Sequence, residues 1–256
     1  MITLAMTNQK GGVGKTTSCI NLASELGKSG YKVLVVDIDP QGNCTSGLGV
    51  ETSEIDSSIY DLLLDNTEIS EIAISTKWEG VSVIPATIDL AGAEVELASA
   101  ISRETRLSRT LKKSSGYDIA IIDCPPSLGI LTINALVAAD KLVIPIQCEY
   151  YALEGVGQLT RTIHLLKDFL NPALSVDGVL LTMFDSRTNL SNEVLEEVRK
   201  QFGKLVFDAV IPRNIKLAEA PSFGMPITYY EPNCPGALTY RKFAEEVASR
   251  WLNIAP

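Results

Sequence analysis

An α/β fold, a mostly parallel twisted sheet with helices on both faces, is what this 256-residue chain predicts. Three observations lead there. Apolar runs alternate with segments of helical spacing along the chain. Several of those runs are apolar throughout rather than alternating, as expected of strands covered on both faces. The first run passes through a glycine-rich turn into a helical pattern, the order that builds parallel strand–helix units.

The apolar runs predict strands over Ile2–Met6, 33–36, Val81–Ile84, 119–122, 142–146, 178–182 and 206–211. After the first strand, Cys19, Ile20, Leu22, Ala23 and Leu26 fall at helical spacing. Amphipathic stretches over 153–169 and 192–202 read as further helices. Residues 241–250 read as a surface helix that packs Phe243, Val247 and Trp251 inward. Segment 52–82 carries no motif that assigns it a role. No repeat, low-complexity tract or long linker divides the chain, so residues 1–256 are expected to form one domain. With only residues 1–7 ahead of the loop, no N-terminal helix-turn-helix module is expected.

Composition narrows the classes. Hydrophobic residues make up 46% and charged residues 21%, enough for a sizeable core. No apolar stretch approaches the ~18 residues of a membrane span, and no basic-then-apolar leader opens the chain. Five cysteines, odd in number and far apart, match neither zinc nor disulfide spacing and predict reduced thiols in the cytoplasm. His164 is the single histidine, so a histidine metal cluster is excluded and a Ser-His-Asp triad has little support. The net charge of −9 argues against a surface coated in positive charge, although a local patch remains open. Residues 199–256 hold eight Lys/Arg against five Asp/Glu.

The chemistry concentrates in residues 10–17, Lys-Gly-Gly-Val-Gly-Lys-Thr-Thr. Strand, glycine-rich turn and helix form the context of a phosphate-binding loop, and hence of a P-loop NTPase domain. Gly11, Gly12 and Gly14 let the backbone curl and approach an anion. The amides of the loop, Val13 included, then face the phosphates together with the positive end of the following helix. Lys15 supplies a point charge to the terminal phosphates and Thr16 a hydroxyl ligand for Mg2+, and Thr17 is assigned with them to nucleotide binding. Five residues before Gly14 the usual pattern has glycine, and here stands Gln9. A second lysine, Lys10, sits at the loop entrance, poorly placed for its own nucleotide and well placed for a neighbour's.

Acidic residues close two of the predicted strands. Asp37 and Asp39 lie in Asp-Ile-Asp-Pro-Gln-Gly-Asn, and Asp123 in Ile-Ile-Asp-Cys-Pro-Pro-Ser. Ligands in open α/β folds sit at the carboxyl ends of strands, and a carboxylate closing a buried strand needs a cationic or hydrogen-bonding partner. Magnesium is the natural partner for Asp123. Asp39 is assigned to positioning or polarising the attacking water and Asp37 to the outer sphere of the magnesium ion, with the order of these two left open.

These motifs, with Thr-Met-Phe-Asp-Ser-Arg-Thr-Asn (182–189), Ile-Pro-Arg-Asn (211–214) and Glu-Ala-Pro-Ser (219–222), resemble the ParA/Soj partitioning ATPases in the right order over nearly the whole chain. The chain is similar to the short, chromosomal-type members. The resemblance implies ATP and Mg2+ as cofactors, an ATP-dependent homodimer around two nucleotides, and binding to non-specific DNA in that state. It also implies slow hydrolysis stimulated by a ParB-type centromere-binding protein, and a cytoplasmic protein that associates with the nucleoid when ATP-bound. By motif, Lys10 would contact the partner subunit's phosphates and Lys15 its own. Gly12 would lie at the dimer seam, Pro212 and Asn214 would line the adenine pocket, and Arg187 and Lys216 would face DNA. Arg241, Lys242 and Arg250 are weaker candidates for that face.

Other readings compete. A membrane-associated switch of the MinD kind needs a basic, amphipathic C-terminal helix, and few basic residues follow Lys242. A carrier like the nitrogenase iron protein needs cysteines bridging a dimer, and Cys124 has no convincing companion. A nucleotide-gated regulator of another protein, with incidental turnover, is the non-enzymatic alternative.

Overall fold

The computed structural model describes residues 1–65, 67–150 and 154–252. All seven predicted strands are present, as β1 (Ile2–Met6), β2 (Val33–Asp37), β4 (Val81–Ile84), β5 (Ile119–Asp123), β6 (Lys141–Gln147), β7 (Val176–Phe184) and β8 (Val206–Pro212). An eighth, β3 (Ile74–Ser75), escaped the sequence reading because two residues carry no period. The sheet order is β3-β4-β2-β5-β1-β6-β7-β8. Among the described residues, only the β3–β4 pairing at the edge is antiparallel.

Burial explains why the strand runs are continuous rather than alternating. Every residue of β2 and β5 is buried, and apolar layers cover both sheet faces. One layer contains Leu34, Val36, Ala120 and Ile122; the other contains Val33, Val35, Ile119 and Ile121. Neighbours in sequence thus point into opposite layers, as strand geometry requires.

The first predicted helix is α1 (Lys15–Lys28), with Cys19, Ile20, Leu22, Ala23 and Leu26 all buried. The expected helix over 153–169 spans Glu154–Phe169; Leu153 lies outside the described residues. The one expected over 192–202 begins earlier, at Asn189, where the Thr188 side chain accepts from the Ser191 amide. The last helix, Pro235–Trp251, buries Phe243 and Val247 completely, and Phe207 meets Phe243 and Trp251 edge-on at 4.8 and 5.9 Å. Residues 253–256 of the weighed C-terminal segment lie outside the described residues. Segment 52–82 supplies short helices, Ile59–Asp65 and Ile69–Ile72, whose buried Ile59, Leu62, Leu63, Ile69 and Ile72 join one apolar layer.

Register sets the site. Met6 pairs with Asp123 and Asp37 with Asp123 across β1, β5 and β2. The three strands therefore end level with one another, beneath the start of α1.

Candidate functional site

The loop between β1 and α1 is held at several points. Gly12 and Gly14 take φ of 74° and 86°, a left-handed region that favours glycine. The Lys15 ammonium, buried, donates to the Lys10 carbonyl at 3.3 Å and closes the loop on itself. Thr182 at the end of β7 donates its hydroxyl to the Val13 carbonyl at 2.9 Å. Asn8 donates to the Pro145 carbonyl at 2.7 Å and accepts from the Lys10 amide at 3.0 Å.

Two cavities meet at this loop. The first, about 590 Å³, is lined by Gly11, Gly12, Gly14, Lys15, Thr16 and Thr17, with Asp39, Gln41 and Asn43 opposite. The second, about 400 Å³ and more apolar, is lined by Pro212 and Asn214 with Ile211, Leu217 and Tyr240. Gly14, Thr17 and Met183 line both. The fold thus brings together the phosphate-loop residues, Asp39, Pro212 and Asn214 from distant parts of the sequence. Gln41, Asn43 and Met183 fall within the quoted motifs 37–43 and 182–189, but the sequence assigned them no individual role.

Asp123 is fully buried beneath the loop. Its Oδ1 accepts from the Cys19 thiol at 3.6 Å, and its Oδ2 has no hydrogen-bond partner. Burial first, then the charge of Asp37, pushes its carboxyl from 3.8 up to about 8, opposed by the Thr16 side chain and the Lys15 charge. Asp37 is equally buried but satisfied. Its Oδ2 accepts from the Thr45 amide and hydroxyl at 2.8 and 2.7 Å, and its Oδ1 from the Asp39 amide at 3.2 Å. Burial nevertheless raises it to about 6. These contacts pin the segment that carries Asp39. Because β2 ends at Asp37, the strand period stops there, and Asp39 turns into the cavity instead of pointing beside Asp37.

The remaining expected residues lie around this centre. The Lys10 ammonium is 3.9 Å from Glu149, whose carboxylate also accepts from Gln147 and Arg213 at 2.6 and 3.1 Å. Gly12 faces open space in the single protomer. Arg187 is 85% exposed and chelates Asp185 through Nε and one terminal nitrogen, at 2.9 and 2.7 Å. Lys216 donates to Glu219 at 2.8 Å. Neither Arg187 nor Lys216 lines either cavity. All five cysteines are free and buried, and burial pushes the thiols of Cys19, Cys44 and Cys124 up. His164 is exposed on its helix.

A family profile described as an AAA domain matches residues 1–176. The sporulation initiation inhibitor protein Soj of Bacillus subtilis is 56% identical over 96% of this chain and 98% of its own length. The chromosome partitioning protein ParA of Myxococcus xanthus is 52% identical over 96% and 88%. The chain belongs to the ParA/Soj family. A solved structure described as cobyrinic acid a,c-diamide synthase of Mycobacterium smegmatis, with bound ADP and magnesium, superposes with a TM-score of 0.86 at 40% identity, covering 99% of this chain and 96% of that one. Among the ParA/Soj relatives, similarity extends past the profile's limit at residue 176 to nearly the whole length. The stretches carrying Met183, Pro212 and Asn214 therefore belong to the shared fold as much as the phosphate loop does.

In this ParA/Soj chain the donor set suits a magnesium nucleotide. No group of three or more His, Cys, Asp or Glu forms a metal cluster among the described residues. One unpartnered carboxylate oxygen beside a threonine hydroxyl is what Mg2+ uses when phosphates and water complete its shell.

Proposed function

We propose that this protein is an ATP-hydrolysing DNA-partitioning switch that binds Mg2+-ATP across the two cavities. The unpartnered, buried Oδ2 of Asp123 carries the reading, because a carboxylate oxygen is costly there without a cation. Lys15 and the amides of Gly11 to Thr17 hold the phosphates; Pro212 and Asn214 receive the base. Thr16 and Asp123 hold the magnesium ion, with Asp37 behind them. When bound, the ion screens phosphate charge during transfer to water. Asp39, at the cavity wall, orients and polarises the attacking water.

Lys10 acts on a partner subunit's phosphates. Its own ammonium is drawn toward Glu149, which supports action outside its own loop. ATP thus closes a homodimer, and two copies of Arg187 and Lys216 then meet DNA without sequence preference. Doubling weak phosphate contacts on one face raises affinity more than additively. Hydrolysis is slow alone and is stimulated by a ParB-type partner; the ATP form resides on the nucleoid and the ADP form in the cytoplasm.

The test is retention of Asp39→Ala protein on non-specific DNA at low and moderate salt, with ATP against ADP. Salt-sensitive retention with ATP alone is the expected result, since each Lys/Arg–phosphate contact releases counterions. No retention in either state would reject the DNA reading and leave the ATP site standing.

A further inference from the structure

We propose that Met183 positions the nucleoside against the phosphate loop and so sets affinity for a nucleotide over bare phosphates. The proposal rests on the nucleotide reading of the paired cavities. Met183 takes φ of 53°, one of two non-glycine residues with positive φ among the described residues. Long side chains are rarely held there unless the surroundings over-determine the backbone, and such residues cluster at functional sites.

The surroundings do so here. Just before it, Thr182 is tied to the Val13 carbonyl of the loop at 2.9 Å. Just after it, Phe184 pairs with Pro212, and its carbonyl accepts from the Arg213 amide at 2.9 Å. Between these anchors the β7–β8 register shifts, from Leu181 to Phe184. An irregularity of this kind re-aims a side chain beside a site. Met183, half-buried, consequently lines the phosphate-loop cavity and the apolar cavity together.

Only Gly14 and Thr17 share that position, and neither has a long apolar side chain. Methionine is unbranched and polarisable and adapts to a flat ring. A ligand that spans both cavities, phosphates at one end and a heterocycle at the other, must pass this side chain. A ligand confined to the loop need not touch it.

The experiment is calorimetric titration of ATP, ADP and inorganic tripolyphosphate into the wild-type protein and Met183→Ala, Met183→Gly and Met183→Leu variants. Alanine and glycine should each weaken ATP and ADP roughly tenfold, with tripolyphosphate held to within about twofold. Leucine, similar in volume, should restore most of the loss. The glycine variant also accepts the positive φ without strain, so a loss there assigns the effect to the side chain rather than to the backbone. Unchanged ATP and ADP affinities in both truncations would overturn the proposal. So would an equal loss for tripolyphosphate, which would mean that Met183 merely supports the loop. Wild-type protein that binds neither nucleotide would remove the reading of the site itself, an outcome distinct from an unaffected variant.

Discussion

Asp123→Asn separates what the buried carboxylate costs the fold from what it gives the site. Asp123 and Asp37 both have folded pKa values above 3.8, at about 8 and about 6, with burial the largest cause. A carboxyl raised in this way stabilises the fold fully below its unfolded pKa. That contribution is lost as pH rises through the folded value. Ligand-free protein should therefore lose stability from about pH 4 to pH 8. At about 1.4 kcal/mol per pH unit, the whole displacement of Asp123 bounds the cost of its ionisation at roughly 5–6 kcal/mol. Replacing Asp123 removes that cost, so ligand-free Asp123→Asn should be more stable than wild type near pH 8 by no more than this bound, because Asp37 titrates together with it. The melting midpoint of the ligand-free variant should rise accordingly. On the proposed magnesium role of Asp123, the same change replaces the oxygen assigned to the ion, so Mg2+-ATP should no longer raise the midpoint. Thermal denaturation between pH 5 and 8, with and without Mg2+-ATP, reads both effects. A variant less stable than wild type at pH 8, or wild-type protein whose ligand-free stability is flat from pH 6 to 8, would refute the reasoning.

Lys15→Ala removes the buried ammonium that closes the loop and should weaken ATP binding roughly 100-fold or more, measured by titration; wild-type affinity would contradict the loop assignment. Asp39→Ala should bind ATP within about threefold of wild type while turnover falls roughly 100-fold, and unchanged phosphate release would remove Asp39 from the chemistry. Gly27 lies in α1 against the Glu79 backbone carbonyl, which a Cβ would strike. Gly27→Ala should destabilise the protein by roughly 1–3 kcal/mol in denaturant titration, and an unchanged midpoint would show that segment 77–81 yields easily.

The parts of the site legible in sequence are those written in contiguous residues. The phosphate loop is one such segment, since strand, glycines, lysine and helix follow one another within Ile2–Met6 and residues 10–17. Asp37 and Asp123 were legible as acids closing apolar runs, a pattern buried strands rarely tolerate without a partner. Asp39 was legible in the same motif as Asp37, but its turn into the cavity was not, because β2 ends at Asp37, two residues before it. The two-residue strand β3 and the caps that extend helix Asn189–Phe202 backward were invisible for lack of period. They are fixed by pairing with Val83 and by the Thr188 hydroxyl.

Sequence alone therefore determined the fold class and marked the candidate groups for a phosphate and a divalent cation, because short-range periodicity and local backbone requirements encode them. Tertiary structure decided how those groups relate. It set Asp37 level with Asp123, leaving one oxygen without a partner. It drew Lys10 toward Glu149, and it carried Met183 to the wall beside Gly14. Contacts across such sequence separations depend on strand order and register, which arise only when the whole sheet assembles between its two apolar layers.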